Sequence, residues 1–181
     1  AKNKNVKVIF LSQKLQEYYK YLNLNSIVLH SAVDSDLFIE TGSIKKNKKK
    51  VVFVGNLLRF GKTRGVDFLI KAFSEYKNLK DYNLEIIGGP KNEAERLKSL
   101  IIKDNIKNVS ITGRLNRKNT IKKIKESSIG ILINSDQSTH STEFTSPLKY
   151  FEYIFAGLGV VAVDFPSHRE LPNSEFIKYF K

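Results

Sequence analysis

Glu152 and the residues just before it are the stretch of this chain whose types and spacing could do chemistry. Ser146-Pro147 reads as a helix start, with Ser146 as N-cap and Pro147 at the first helical position. The backbone N–H groups of Leu148 and Lys149 then point outward, and the positive end of the helix dipole makes that turn an anion site. Glu152 follows about a turn and a half later, where its carboxylate could accept hydrogen bonds from a vicinal diol whose phosphate rests on the helix start. Periodicity alone leaves a second reading level with the first, an amphipathic helix carrying a solvated Glu.

Other candidates gather where predicted strands end. Gly55-Asn56, Gly88-Gly89-Pro90 and Gly113-Arg114 each follow an apolar run, and ligands of open parallel sheets bind beyond the carboxyl ends of strands. Gly55 and Asn56 could let a ligand approach the backbone closely, or Gly55 is only a turn. Arg59, Lys62 and Arg64 crowd into the following segment, either as a cationic clamp or as a basic surface loop. The polar loop 135–146 holds Asp136, His140 and Glu143. Ser135, Asp136 and His140 sit too close together, without a nucleophile elbow, to form a hydrolase triad. The spacing of Gly55, Gly61 and Gly65 lacks the tight G-x-G of a dinucleotide fingerprint, which disfavours a dehydrogenase.

The elements that must position these residues alternate. Strands are predicted over 6–11, 26–29, 50–54, 82–87, 109–112, 129–134 and 160–163, and helices over 13–22, 66–76, 92–103, 120–127 and from 146 onward. Continuous apolar strands between helices specify an α/β fold, a parallel sheet covered on both faces. At 181 residues the chain is long enough for one full domain and short for two. There is no Met anywhere, including at position 1, so a fragment of a larger protein is expected.

Composition narrows the function classes. The net charge is +13, with 31 Lys and Arg against 18 Asp and Glu. Arg occurs only at 59, 64, 96, 114, 117 and 169, and the remaining 25 basic residues are Lys, the less apt reader of phosphates. The run Lys45-Lys46-Asn47-Lys48-Lys49-Lys50 has no interleaved aromatics and reads as a solvated loop, so nucleic acid is not expected as a partner, while a peripheral contact with an anionic membrane stays open. With no Cys, disulfides, thiolate metal sites and a cysteine nucleophile are excluded. His30, His140 and His168 lack ligand spacing, and no apolar run approaches the length of a membrane span.

The segment Pro147-Leu148-Lys149-Tyr150-Phe151-Glu152-Tyr153, with Ala156-Gly157 and Val160-Val161-Ala162 after it, resembles the donor-site signature of retaining glycosyltransferases of the GT-B fold, family 4. Val54-Gly55-Asn56 with Arg64-Gly65-Val66, Ile86 to Pro90, and Val109 to Gly113 are similar to that family's first three strand ends, and Ala32-Val33-Asp34 to its interdomain linker. The resemblance implies that residues 1–29 are the tail of an N-terminal domain, 30–49 the interdomain linker with a lysine-rich loop, and 50–181 the Rossmann-like half of a GT-B enzyme, truncation at its C-terminal end left open, that binds a UDP- or GDP-sugar without a metal or other cofactor. Ser146, Pro147, Leu148 and Lys149 would face the diphosphate, Glu152 the ribose, and Gly113, Arg114 and Leu115 the base. Gly55, Asn56 and Arg59 would line the donor site, and Arg64 or Lys62 would clamp the leaving diphosphate. The family's first acid, separated from its second by seven intervening residues, falls on Phe144, so Glu143 becomes the candidate for sugar recognition. The same resemblance implies hexosyl transfer to a glycan or lipid-linked acceptor held by another domain, in polysaccharide biosynthesis, in the cytoplasm or at the inner membrane face. This portion alone would be inactive. An epimerase of the same fold and a non-catalytic anion-binding module are the competing readings.

Overall fold

A computed structural model of the chain describes residues 6–59, 61–136 and 138–181, with the side chains of Arg59 and Lys62 outside that description. It opens on a parallel pair, β1 (Val8–Phe10) and β2 (Ser26–Val28), joined through α1 (Gln13–Tyr18). Ser12 caps α1 by accepting the Leu15 N–H at 3.2 Å. The helix is shorter than the predicted 13–22 because the chain tightens into a 3-10 turn at Lys20–Leu22 and turns off at Asn23, whose φ of 46° is left-handed. Next, in a stretch where no element is predicted, comes α2 (Ser35–Glu40), which buries Phe38 against Phe155 with ring centroids 5.1 Å apart.

The main body follows in chain order: β3 (Lys50–Val54), a small hairpin of β4 (Leu58–Arg59) and β5 (Lys62–Thr63), α3 (Val66–Glu75), β6 (Asn83–Ile87), α4 (Lys91–Lys103), β7 (Val109–Gly113), α5 (Arg117–Glu126), β8 (Ile129–Leu132), α6 (Thr139–Glu143), α7 (Leu148–Phe155), β9 (Gly159–Val163), α8 (Pro166–Arg169) and β10 (Lys178–Phe180). Six strands form one all-parallel sheet in the order β7-β6-β3-β8-β9-β10. The chain enters at the centre, winds to one edge, returns and winds to the other. This is the doubly wound order, and it leaves a crevice at the carboxyl ends of β3 and β8.

Alternate residues of each strand serve opposite faces. Phe53, Leu84, Ile86 and Ile111 pack under Ile70 and Phe73 of α3 and Leu97 of α4. Val52, Val54, Leu132 and Val160 pack under Ile124 of α5 and Tyr150 and Tyr153 of α7. Each such side chain, once buried, stabilises the fold by about 1.5–3 kcal/mol before entropy is counted. Helix α5 begins three residues before the predicted 120, because the Asn116 side chain accepts the Asn119 N–H at 2.8 Å and caps it.

The lysine run is not simply a solvated loop. Lys46 donates to the Gly157 carbonyl at 2.9 Å and to that of Ala156, so its charge sits at the C-terminus of α7. Lys50 opens β3, with its ammonium 2.7 Å from Glu85 and 2.8 Å from Glu126. A carboxylate buried in a parallel sheet requires such a partner, and Lys50, with Lys123 at 3.3 Å, supplies it to Glu85.

Candidate functional site

The crevice between the ends of β3 and β8 holds a cavity of about 310 Å³ whose wall includes Gly55, Arg64, Asn134, Ser146, Lys149 and His168. Beside it a second cavity of about 470 Å³ runs over Asn56, Gly88, Arg114, Leu115 and Arg117, and the two share Val54, Gly55 and Lys149. Glycine is required here for close approach. A Cβ on Gly88 would stand 1.8 Å from the Gly55 carbonyl oxygen, a backbone atom that cannot yield.

Helix α7 points its N-terminus into the first cavity. Its N-cap is Pro147, in an extended conformation (φ −74°, ψ 112°), and not Ser146. The physical reason is that Ser146 precedes proline and Pro147 has an extended ψ, so the first helical residue becomes Leu148. No side chain caps this turn, and the Ser146 hydroxyl oxygen is buried without a hydrogen-bond partner. The first backbone N–H groups of the helix, at Leu148 and Lys149, therefore have no capping side chain, and such a turn can accept an anion. The turn is fixed from below: the buried phenol of Tyr153 accepts the N–H of Val54, the last residue of β3, at 3.0 Å. Burial pushes that phenol's pKa far up, so it stays protonated.

Glu152 is fully buried, unlike the carboxylate of a solvated amphipathic helix. Its two oxygens are both engaged. Arg117, the first residue of α5, reaches Oε1 at 2.5 Å, and Lys149, one turn back on α7, reaches Oε2 at 2.7 Å. These bonds hold a charge that would otherwise cost several kcal/mol to bury.

Arg64 sits where the crevice opens. Its Nε donates to the Asn134 side chain at 3.2 Å and its two terminal nitrogens to the carbonyls of Ile133 (3.2 Å) and Asn56 (3.4 Å). These contacts pin its positive charge beside the α7 start. On the other side Arg114 donates to the Asn56 side chain at 3.2 Å. Gly113, with a φ of 81°, makes the left-handed step that releases the chain from β7 toward Arg114 and Leu115. His168 closes the crevice floor, 2% exposed, with Nδ1 2.8 Å from the Val163 carbonyl. A carbonyl only accepts, so Nδ1 carries the proton and Nε2 the lone pair. Burial pulls the His168 pKa below the ordinary range, the bond to Val163 opposes this, and the charge of Arg64 adds to the lowering.

The structure thus gathers Gly55, Asn56, Arg64, Arg114, Leu115, Ser146, Pro147, Leu148 and Lys149 around two joined cavities, with Glu152 behind them. Glu143 lines neither of these cavities. It ion-pairs with Lys14 of α1, while Phe144 packs against Tyr18 at 5.2 Å between centroids. The Arg59 and Lys62 side chains, two of the expected donor contacts, lie outside the described residues. Arg117, Asn134 and His168 are site residues that the sequence reading did not assign. Asn134 was legible as the end of a strand at the crevice; Arg117 and His168 carry no local signal, since only the fold brings them to α7. Among the described residues no group of three His, Asp or Glu could hold a metal ion, and no helix is long and apolar enough to cross a membrane.

A doubly wound parallel domain with Arg64 and Lys149 lining the crevice at its switch point matches domains of GT-B glycosyltransferases. Residues 48–176 match the family of glycosyl transferases group 1, and the chain belongs to that family. Its fold is similar to that of WaaG, a glycosyltransferase involved in lipopolysaccharide biosynthesis, at 17% identity over 95% of this chain and 48% of that one (TM-score 0.64). Sucrose-phosphate synthase from Thermosynechococcus elongatus is similar at 14% identity over 96% and 44% (TM-score 0.66). HepE from Anabaena, solved in complex with UDP and glucose, is similar at 16% identity over 96% and 49% (TM-score 0.64). At these identities the likeness concerns the fold, and the chain spans about half the length of each structure. No curated protein matches this chain.

Proposed function

We propose that this domain binds the nucleoside-diphosphate-sugar donor of a retaining, family-4-type glycosyl transfer, as the C-terminal half of a GT-B enzyme. One observation carries the reading: at the switch point, the uncapped N-terminus of α7 and the pinned charge of Arg64 share one cavity wall, with a buried carboxylate, Glu152, about a turn behind. That order fits a diphosphate followed by a ribose. The UDP and glucose held by HepE, and the UDP and GlcNAc held by the pneumococcal O-GlcNAc transferase GtfA, support a UDP-sugar as the ligand class.

In the proposed reaction the bond between the anomeric carbon and the diphosphate oxygen breaks, and its electron pair leaves with the phosphate. The α7 N–H groups and Arg64 meet that charge without rearranging, so no divalent ion is assigned to the step. The acceptor hydroxyl, on a glycan or lipid-linked substrate held by another domain, bonds through its oxygen to the same face of the hexose and passes its proton to the departing diphosphate. The setting we propose is polysaccharide assembly in the cytoplasm, at the inner face of the membrane, and this domain alone binds donor without turnover.

Calorimetry of the chain with UDP, GDP and ADP tests the reading. One of them is expected to bind, and Arg64→Gln to weaken it about tenfold. If none of the three bound, the proposal would fail.

A further inference from the structure

Arg117 holds the carboxylate that the donor-site reading gives to the ribose. Both oxygens of Glu152 are taken, Oε1 by Arg117 at 2.5 Å and Oε2 by Lys149 at 2.7 Å. Each oxygen keeps a lone pair, but the carboxylate is fully buried, so a vicinal diol donating two O–H groups has to approach through the space that these cations occupy. Lys149 belongs to the same helix as Glu152, three residues away, so their pairing is built into α7. Arg117 comes from another element and is held there against its own helix. It is the first residue of α5, whose first turn has no acidic residue, so the guanidinium sits at the positive end of that dipole. Its side chain is 37% exposed and lines the 470 Å³ cavity, where the guanidinium has room to move. A cation at a helix N-terminus breaks a local rule, and in this fold the broken rule lies at the site.

We propose that Arg117 is a specificity-determining residue: it competes with the donor's ribose diol for Glu152 and so sets how strongly the site prefers a ribonucleotide to one lacking the diol. The inference rests on the donor-site reading above. Nucleotide binding through Glu152 then requires the fraction of molecules in which Arg117 has swung away, and apparent affinity falls by that fraction. A nucleotide without the diol does not depend on it.

The test is calorimetry of the full chain with whichever of UDP, GDP and ADP binds best, against its 2′,3′-dideoxy form, for the wild type, Arg117→Gln, Arg117→Lys and Glu152→Gln. Arg117→Gln is expected to raise the preference for the ribonucleotide about tenfold, chiefly by tightening the ribo form. Arg117→Lys falls between, and Glu152→Gln abolishes the preference. Thermal melts check that each variant is folded, and Arg117→Lys, which keeps a cation beside the buried Glu152, carries the test if Arg117→Gln does not fold. If Glu152→Gln abolishes the preference while Arg117→Gln leaves it unchanged or lowers it, Arg117 is not the competitor and the donor-site reading survives. If the preference is near one in the wild type and in every folded variant, Glu152 does not read a ribose, and both fall together.

Discussion

At the residue scale, the site is an arrangement of charges whose neighbours were chosen by the fold. Glu152 is tolerable inside the protein because Arg117 and Lys149 neutralise it, and Arg64 is useful because three acceptors stop it from following solvent. His168 is kept neutral by burial, and this has a pH consequence. Its pKa is lower in the folded chain than the ordinary 6.5, so the unfolded chain binds the extra proton first. His168 thus contributes stability that is present above about pH 6.5 and is lost as the pH falls through the folded value. Melting temperatures between pH 7 and pH 5 should drop more steeply for the wild type than for His168→Asn; equal slopes would remove His168 as the cause. Glu85 acts in a lower window. Burial raises its pKa but Lys50, Thr112 and Lys123 outweigh this, so it is depressed from 4.5 and its contribution fades only below that value.

At the element scale, α7 is the part on which the site depends, and its seat is set by a glycine. Gly130 lies on β8 directly beneath the Tyr153 ring, and a Cβ there would meet the ring at 2.3 Å. Tyr153 is fully buried and bonded to Val54, so it cannot retreat. Gly130→Ala should therefore lift α7 from the sheet and cost about 1–3 kcal/mol, read as a lower urea midpoint, with weaker nucleotide binding in the same variant. An unchanged midpoint would mean that the ring has somewhere to go. The helix start, the glycine break and the β9 strand were all legible as a pattern of types along the chain. The cap was misplaced by one residue, since local geometry around a Ser-Pro step is decided by ψ, which composition does not report. Short elements escaped for a related reason: α2, α6, α8 and β10 span only three to six residues, too few for a period to show.

At the scale of the whole molecule, the charge of +13 is distributed among tasks. Lys46 caps α7, Lys50 and Lys123 neutralise Glu85, and Lys125 donates to the carbonyls of Phe38 and Gly42, tying α2 to α5. Arg64 and the α7 N-terminus share the wall of the first cavity, where the proposed site would meet a ligand's phosphates. If they suffice for a diphosphate, nucleotide affinity should be the same in EDTA and in millimolar magnesium. A large gain with magnesium in calorimetry would show that the proposed metal-free site is wrong.

The alternation of apolar strands with helices determined the fold class by itself, because strands buried on both faces and separated by helices are those of a covered parallel sheet. Sequence also marked most of the crevice, since strand-end glycines and a helix N-terminus are local features. What tertiary structure decided was pairing across distance. Arg117 meets Glu152 from 35 residues away, His168 reaches the floor beneath Arg64, and Glu143 turns to Lys14 on α1. Such partners depend on how the sheet is wound, and a winding leaves no periodic trace in the residues it brings together.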